Sequence, residues 1–148
     1  MLNQHVFRVS DNILCRNCGQ DVSSSNFIIS KFSPSSYYLF NDTLFDKVGV
    51  QVQVFLTDII FHYPLITVAY STCAEIGEWE ETTSWFPGYR WKPCVCPACG
   101  AYIGFIFEPS NHALVESSKT FYGLILTSLI SENFLKSLSH YTAGLSTD

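Results

Sequence analysis

Residues 84–100 read SWFPGYRWKPCVCPACG, and the fold turns on how that stretch is read. It puts Trp85 and Trp91 on either side of a Pro87-Gly88 turn and then runs into a Cys96-Pro-Ala-Cys99-Gly knuckle. A second knuckle, Cys15-Arg-Asn-Cys18-Gly, stands near the start of the chain. Two CxxC pairs supply four thiolates, the donor set of a tetrahedral zinc with Zn–S of about 2.3 Å. The glycine after each pair suits the tight turn that aims backbone amides at the sulfurs. The knuckles are far apart in sequence, so the metal must tie the beginning of the domain to its later part. Closing so long a loop costs only logarithmically more than a short one, whereas structural zinc supplies roughly 10–16 kcal/mol. Four protein ligands leave no open position for water, so the zinc at Cys15, Cys18, Cys96 and Cys99 is predicted to be structural. Cys94 is a second candidate for the place of Cys96, with poorer spacing.

Outward from the knuckles the chain alternates like an antiparallel β protein. NFIISKF, YYLF, VGVQVQVF and PLITVAY are rich in β-branched and aromatic residues and are broken by Ser, Pro, Asn, Asp and Gly. Val48, Val50, Val52 and Val54 share one face of a strand at period two, and that face is predicted to be core. AYIGFIFE and FYGLILTSLI predict two further strands, with glycines where the chain bends or where something approaches its backbone closely. Only the end reads as helix: Ser131 is a candidate N-cap, Glu132 suits the first turn, and Phe134, Leu135 and Leu138 recur at helical spacing. The final YTAGLSTD reads as a flexible tail, which gives a domain over 1–140 and a tail over 141–148. The expected fold is mainly β: two antiparallel sheets pinned by a structural zinc, with a short C-terminal helix or tail.

Composition removes several functions. The 148 residues are 47% hydrophobic and only 14% charged, which excludes disorder over most of the length. A net charge of −5 gives phosphate backbones no electrostatic reason to bind, so nucleic acid is not an expected partner. The most apolar stretch, VFLTDIIFHYPLITVAY, is interrupted by Asp58, His62 and Pro64, and no membrane span is expected. The N-terminal MLNQHVFRVSDNILC lacks the apolar centre of a secretory signal, so the expected location is cytoplasmic or nuclear.

The Pro-Gly turn brings the Trp85 and Trp91 indoles to one side, and the strand beyond Cys99 delivers Phe105 and then Phe107 on one face. Trp85, Trp91 and Phe105 form three walls of a small pocket in this reading; the competing reading makes them ordinary core. Trp85, Phe86, Pro87, Gly88, Tyr89 and Trp91, followed by Cys96, Cys99, Ile103, Gly104, Phe105 and Phe107, resemble the thalidomide-binding (CULT) domain of the cereblon type. The resemblance extends to Cys15 and Cys18, to Tyr70 and Cys73, and to a late strand from Phe121 to Leu124, and so covers nearly the whole chain. It implies a β-tent, two antiparallel sheets meeting at a zinc, and an aromatic cage for cyclic imides such as glutarimide and dihydrouracil-like rings, free or at the end of a protein. It also implies a free-standing, single-domain version; membership of a ubiquitin ligase does not follow from it. The apolar ring atoms would lie on the indole faces, with backbone groups around Thr83 and Ser84 and the Trp85 indole N–H meeting the imide. Two positions depart from the family pattern: Phe105 stands in place of a third cage tryptophan, and Thr83 in place of a histidine.

Two other functions compete. Methionine sulfoxide reductases of the B type share the tent and its double CxxC, but need an activated thiol outside the knuckles, for which only Cys73 and Cys94 remain. Cys73, in AYSTCAE, reads instead as a small buried hydrophobe on a strand. An aromatic cage for a methylated cation would draw on Glu78, Glu80 and Glu81, but Arg90 between the two tryptophans is expected to oppose it. Those acidic residues read otherwise as a solvated loop, with Trp79 its anchor near the pocket rim. His5, His62, His112 and His140 have no ligand-like spacing. No nucleophile–base pair emerges, and a binding domain is expected rather than an enzyme.

Overall fold

The structure, a computed structural model, describes residues 10–57, 62–110 and 119–146, with side chains through residue 139. His5, Asp58 and His112, and the side chain of His140, lie outside that description.

Two antiparallel sheets make up the chain. The smaller has three strands in the order β11-β1-β2, formed by Leu129–Ser131, Asn12–Cys15 and Asp21–Ser24. The larger runs β4 (Tyr38–Leu44), β5 (Lys47–Leu56), β6 (His62–Val68), β10 (Phe121–Ile125), β9 (Tyr102–Pro109), β8 (Tyr89–Val95) and β7 (Ala74–Glu75), with the short β3 (Ile28–Ile29) paired to β6. Among the described residues no helix is long and apolar enough to cross a membrane.

Both faces of the large sheet are covered. Val50 and Val52 of β5 and Ile66 and Val68 of β6 pack with Ile13, Val22 and Leu129 of the small sheet. Phe55 of β5 and Leu65 of β6 join a second cluster with Phe86, Tyr89, Phe107 and Phe121. Because side chains alternate along a strand, the same strands feed the inter-sheet core on one face and an aromatic cluster on the other.

The β5 expectation fails at one end. Val48 is 83% exposed while Val50 and Val52 are buried. Phe45 and Asp46 both take positive φ in the tight β4–β5 turn, and the register slips between the pairs Asp42↔Val50 and Leu44↔Lys47. The extra residue on β5, with Gly49 at φ 74°, is a β-bulge, and a bulge inverts the alternation that joined Val48 to its neighbours. The opposite face of β5 is buried too: Gln53 is fully buried, its amide donating to the Lys31 carbonyl and accepting from the Ser33 N–H.

FYGLILTSLI is two strands, not one. A 3₁₀ turn at Leu126–Ser128 separates β10 from β11, and the chain passes there from the large sheet to the small one. The switch falls at the polar pair Thr127-Ser128, but Thr suits a strand as well as a turn, so the run reads as one strand. The helix α1 (Glu132–Ser146) follows at once, capped by Ser131, whose Oγ accepts from the Phe134 N–H at 3.0 Å. Buried Asp11 adds a second cap, accepting from the Ser131 hydroxyl and from the Asn133 N–H. The helix extends to Ser146, well into the segment expected to be a tail, because Tyr141, Thr142 and Ala143 are tolerable helix formers and Gly144 alone does not stop it.

Candidate functional site

The four knuckle sulfurs all lie within 4.8 Å of one another. Cys15 and Cys99 are 3.7 Å apart and Cys18 and Cys96 3.6 Å. A regular tetrahedron with metal–sulfur bonds of about 2.3 Å has edges of about 3.8 Å, so the cluster could hold a metal ion of that kind. The two knuckles are copies of one turn. In each, the first cysteine's N–H bonds a carbonyl beyond the glycine (Cys15 to Gln20, Cys96 to Ala101), and the glycine N–H bonds back to that cysteine's carbonyl (Gly19 to Cys15, Gly100 to Cys96). Gly19 and Gly100 share φ 80°, a left-handed conformation costly for any other residue. Cys15 ends β1 in the small sheet and Cys96 follows β8 in the large one, so an ion here would join the two sheets.

The metal-free thiols differ in acidity. The Asn17 amide, 3.2 Å from the Cys99 sulfur, and the Ala101 N–H hold Cys99 down at about 6. Burial pushes Cys15 up. At Cys18 the Gln20 N–H favours the thiolate, but desolvation and the neighbouring sulfurs together outweigh it and push the thiol up to about 12. Asn17 was not singled out in the sequence; its place inside the first CxxC is the signal that could have found it.

Cys94 is not in this cluster. It is joined to Cys73 by a disulfide between β7 and β8, with Cα atoms 5.4 Å apart and both residues buried. The expected isolated thiol at Cys73 is therefore corrected: Glu75 pairs with Cys94 across the strands, which brings Cys73 within bonding reach. Cys94 as an alternative metal ligand is set aside for the same reason.

On the other face of β8 and β9 the aromatics converge. Phe86, Pro87, Gly88 and Tyr89 make a type II turn closed by the Tyr89 N–H on the Phe86 carbonyl at 3.0 Å, with Gly88 at φ 89°. The turn returns the chain so that both indoles meet Phe105 edge-on, Trp85 at 5.4 Å and Trp91 at 5.6 Å between ring centres. Phe55 lies parallel to Trp85 at 4.2 Å and covers one indole face. A cavity of about 650 Å³ opens here, lined by Trp85, Trp91, Phe105 and Phe107 together with Leu56, Thr57, Tyr63, Thr82, Thr83 and Ser84. All six expected pocket residues line it. Phe107 is its floor: 1% exposed, it stacks on Phe121 and meets Phe86 edge-on.

Hydrogen bonds fix this aromatic cluster from behind. Ser33 donates to the Trp85 carbonyl and is itself held by Gln53, so a fully buried glutamine on β5 sets where the loop carrying Trp85 sits. The Trp91 indole N–H donates to the Thr83 carbonyl. The Ser84 hydroxyl is folded onto the Phe86 backbone, both donating to its carbonyl and accepting from its N–H. The Trp85 indole N–H has no hydrogen-bond partner among the described residues.

The charged residues lie on the far side of β8. Arg90 stacks on Trp79 at 4.3 Å and pairs with Glu108, and Lys92 stands over the same ring at 4.5 Å and pairs with Glu75. Trp79 anchors the loop as expected, but on this far side and not at the pocket rim, which corrects the place expected of it. Arg90, alternating with Trp91 along the strand, is turned away from the cavity and neutralised, which corrects the expectation that its charge bears on the pocket. Glu80 accepts from the Thr82 N–H and hydroxyl, and these bonds hold its carboxyl below the usual carboxylate range. His62 is exposed on β6 beside Tyr37 and does not line the cavity.

No protein-family model matches the chain. It is 29% identical to Protein cereblon of Drosophila melanogaster over 125 residues, which is 83% of this chain and 19% of that protein. It is 26% identical to Protein cereblon of Drosophila persimilis over 132 residues (84% and 20%) and 27% identical to that of Drosophila mojavensis over 123 residues (78% and 17%). The chain thus spans about one fifth of the length of these curated relatives. Similarity to cereblon over some four fifths of the chain, two antiparallel sheets and a four-cysteine cluster between them are the features of a cereblon-like CULT domain.

Proposed function

We propose that the chain is a zinc-stapled binding domain that holds cyclic imides in its aromatic cavity: glutarimide, thalidomide-type and uracil-like rings, alone or at the terminus of a protein. The carrying observation is the convergence of Trp85, Trp91 and Phe105 on one cavity with an uncommitted Trp85 indole N–H at its wall. A small imide is flat, with apolar CH₂ groups and a polar edge. Indole faces match the first and a few fixed donors and acceptors match the second. Zinc suits the four thiolates by donor softness and by the sulfur spacings, and its part is to hold the two sheets so that β8 and β9 present the cage. The protein binds rather than transforms its ligand; Cys73 and Cys94, the thiols a sulfoxide reductase would need, are bonded to each other and buried.

A methylated-cation cage is the second reading, favoured by the seating of Arg90 on the far side of β8. Titration of the zinc-loaded protein with a fluorescent glutarimide, against a trimethyl-lysine peptide, separates the two. Saturable imide binding, lost in Trp85→Ala and Trp91→Ala while zinc is retained, supports the imide reading; binding of the peptide alone replaces it.

Cytoplasm or nucleus is the proposed location, and the buried Cys73–Cys94 disulfide weighs against it, since disulfides persist mainly in oxidising compartments. Acid quenching of cells and alkylation of the denatured protein measures which state it holds: a reduced pair supports the cytoplasm or nucleus, an intact bond an oxidising compartment.

A further inference from the structure

Phe105 leaves one side of the cage with a ring smaller than an indole. Beside it the cavity has a fourth aromatic wall. Tyr63 on β6, paired across the sheet with Phe55, meets Phe105 edge-on at 6.2 Å and Trp85 at 6.4 Å, and lines the same cavity. It is half-buried, and its hydroxyl has no hydrogen-bond partner among the described residues.

The other polar side chains of the cavity are mostly spent. The Trp91 indole N–H is on the Thr83 carbonyl, the Ser84 hydroxyl is on the Phe86 backbone, and the Thr82 hydroxyl is on Glu80. Among the described residues two uncommitted donors, the Trp85 indole and the Thr83 hydroxyl, belong to the loop before β8. Tyr63 is the uncommitted donor from the β6 side. A donor in an aromatic cavity is costly to desolvate unless the ligand supplies an acceptor.

We propose that Tyr63 is the fourth wall of the cage and its specificity-determining residue, donating from β6 to a second carbonyl on a ring whose first polar edge meets the loop before β8. The inference rests on the cyclic-imide reading and narrows it: the preferred ligands are six-membered rings with two carbonyl groups, and rings with one carbonyl are bound less well. Phe at position 63 keeps the wall and removes the donor, so the two roles separate.

The test uses zinc-loaded protein and two plain ligands, glutarimide with two carbonyls and δ-valerolactam with one, titrated by calorimetry into wild type, Tyr63→Phe, Tyr63→Ala and Trp85→Ala. Tyr63→Phe is expected to weaken glutarimide about fivefold, the worth of one neutral hydrogen bond, and to leave δ-valerolactam unchanged. Tyr63→Ala is expected to weaken both, through loss of the wall, with zinc content retained. If Tyr63→Phe weakens the two ligands alike, or neither, the specificity role is overturned while the cage stands. If wild type binds neither ligand, or Trp85→Ala changes neither affinity, the cyclic-imide reading fails and the role of Tyr63 falls with it.

Discussion

The Cys73–Cys94 disulfide closes a segment that carries much of the cavity lining. Thr83, Ser84, Trp85 and Trp91 all lie between the two cysteines, which are 21 residues apart. In the chain-entropy relation a loop of that length restricts the unfolded state by about 3 kcal/mol. Breaking the bond in Cys73→Ala, in Cys94→Ala or in the double variant is therefore expected to cost about 3 kcal/mol. For a chain of this size that lowers the melting midpoint by roughly 6–12 °C. Both sulfurs are buried, so the alanines add a small packing loss, but they leave no charge or unsatisfied amide. The assay is thermal and urea unfolding of zinc-loaded protein with metal content measured before and after. Two results would refute the reasoning: a loss below about 1 kcal/mol, or single losses that sum in the double variant. Either substitution breaks the same bond, so the three variants must be nearly equal.

Metal affinity should fall with acidity. Cys15 and Cys18 both have thiols raised above the ordinary range and are protonated at neutral pH, so binding displaces at least two protons, and each pH unit lost below 7 weakens zinc about 100-fold. Near pH 6 Cys99 begins to protonate and the slope steepens; competition with a chromophoric chelator across pH measures both. Ser33→Ala removes the donor to the Trp85 carbonyl and is expected to cost about 1–3 kcal/mol, with a parallel loss of ligand affinity in the fluorescent titration. Gly104→Ala drives a Cβ into the Gly123 carbonyl oxygen, on backbone that cannot yield without opening the β9–β10 pair. A destabilisation of about 2–3 kcal/mol is expected in urea unfolding, without loss of the four thiolates.

What the sequence made legible was set by short-range rules. The CxxCG knuckles specify their own turns, and the two-fold appearance of that motif named the four cysteines whose sulfurs cluster. WFPGYRW encodes a type II turn, so the convergence of Trp85 and Trp91 on one side, where both meet Phe105, could be read without coordinates. The failures in the sheets are matters of register or of long-range partners. The bulge at Gly49 turned Val48 outward, the 3₁₀ turn at Leu126–Ser128 moved one apolar run between sheets, and cross-strand pairing beside β7 joined Cys73 to Cys94. Tyr63, Gln53 and Ser33 were invisible for the same reason. Each acts on the cage from a strand or loop well before it in the chain, and nothing in HYPLITV or VQVQVF announces which neighbour it will face.

The three tryptophans allow the cage to be tested against an internal control. Trp85 and Trp91 line the cavity, whereas Trp79 is held by Arg90 and Lys92 on the far side of β8. The most direct measurement is a titration of zinc-loaded, ¹⁵N-labelled protein with glutarimide, followed at the three indole N–H resonances. If the cavity holds the imide, the Trp85 and Trp91 signals shift saturably together and the Trp79 signal stays in place. Three unmoved indoles, or a shift confined to Trp79, would contradict it.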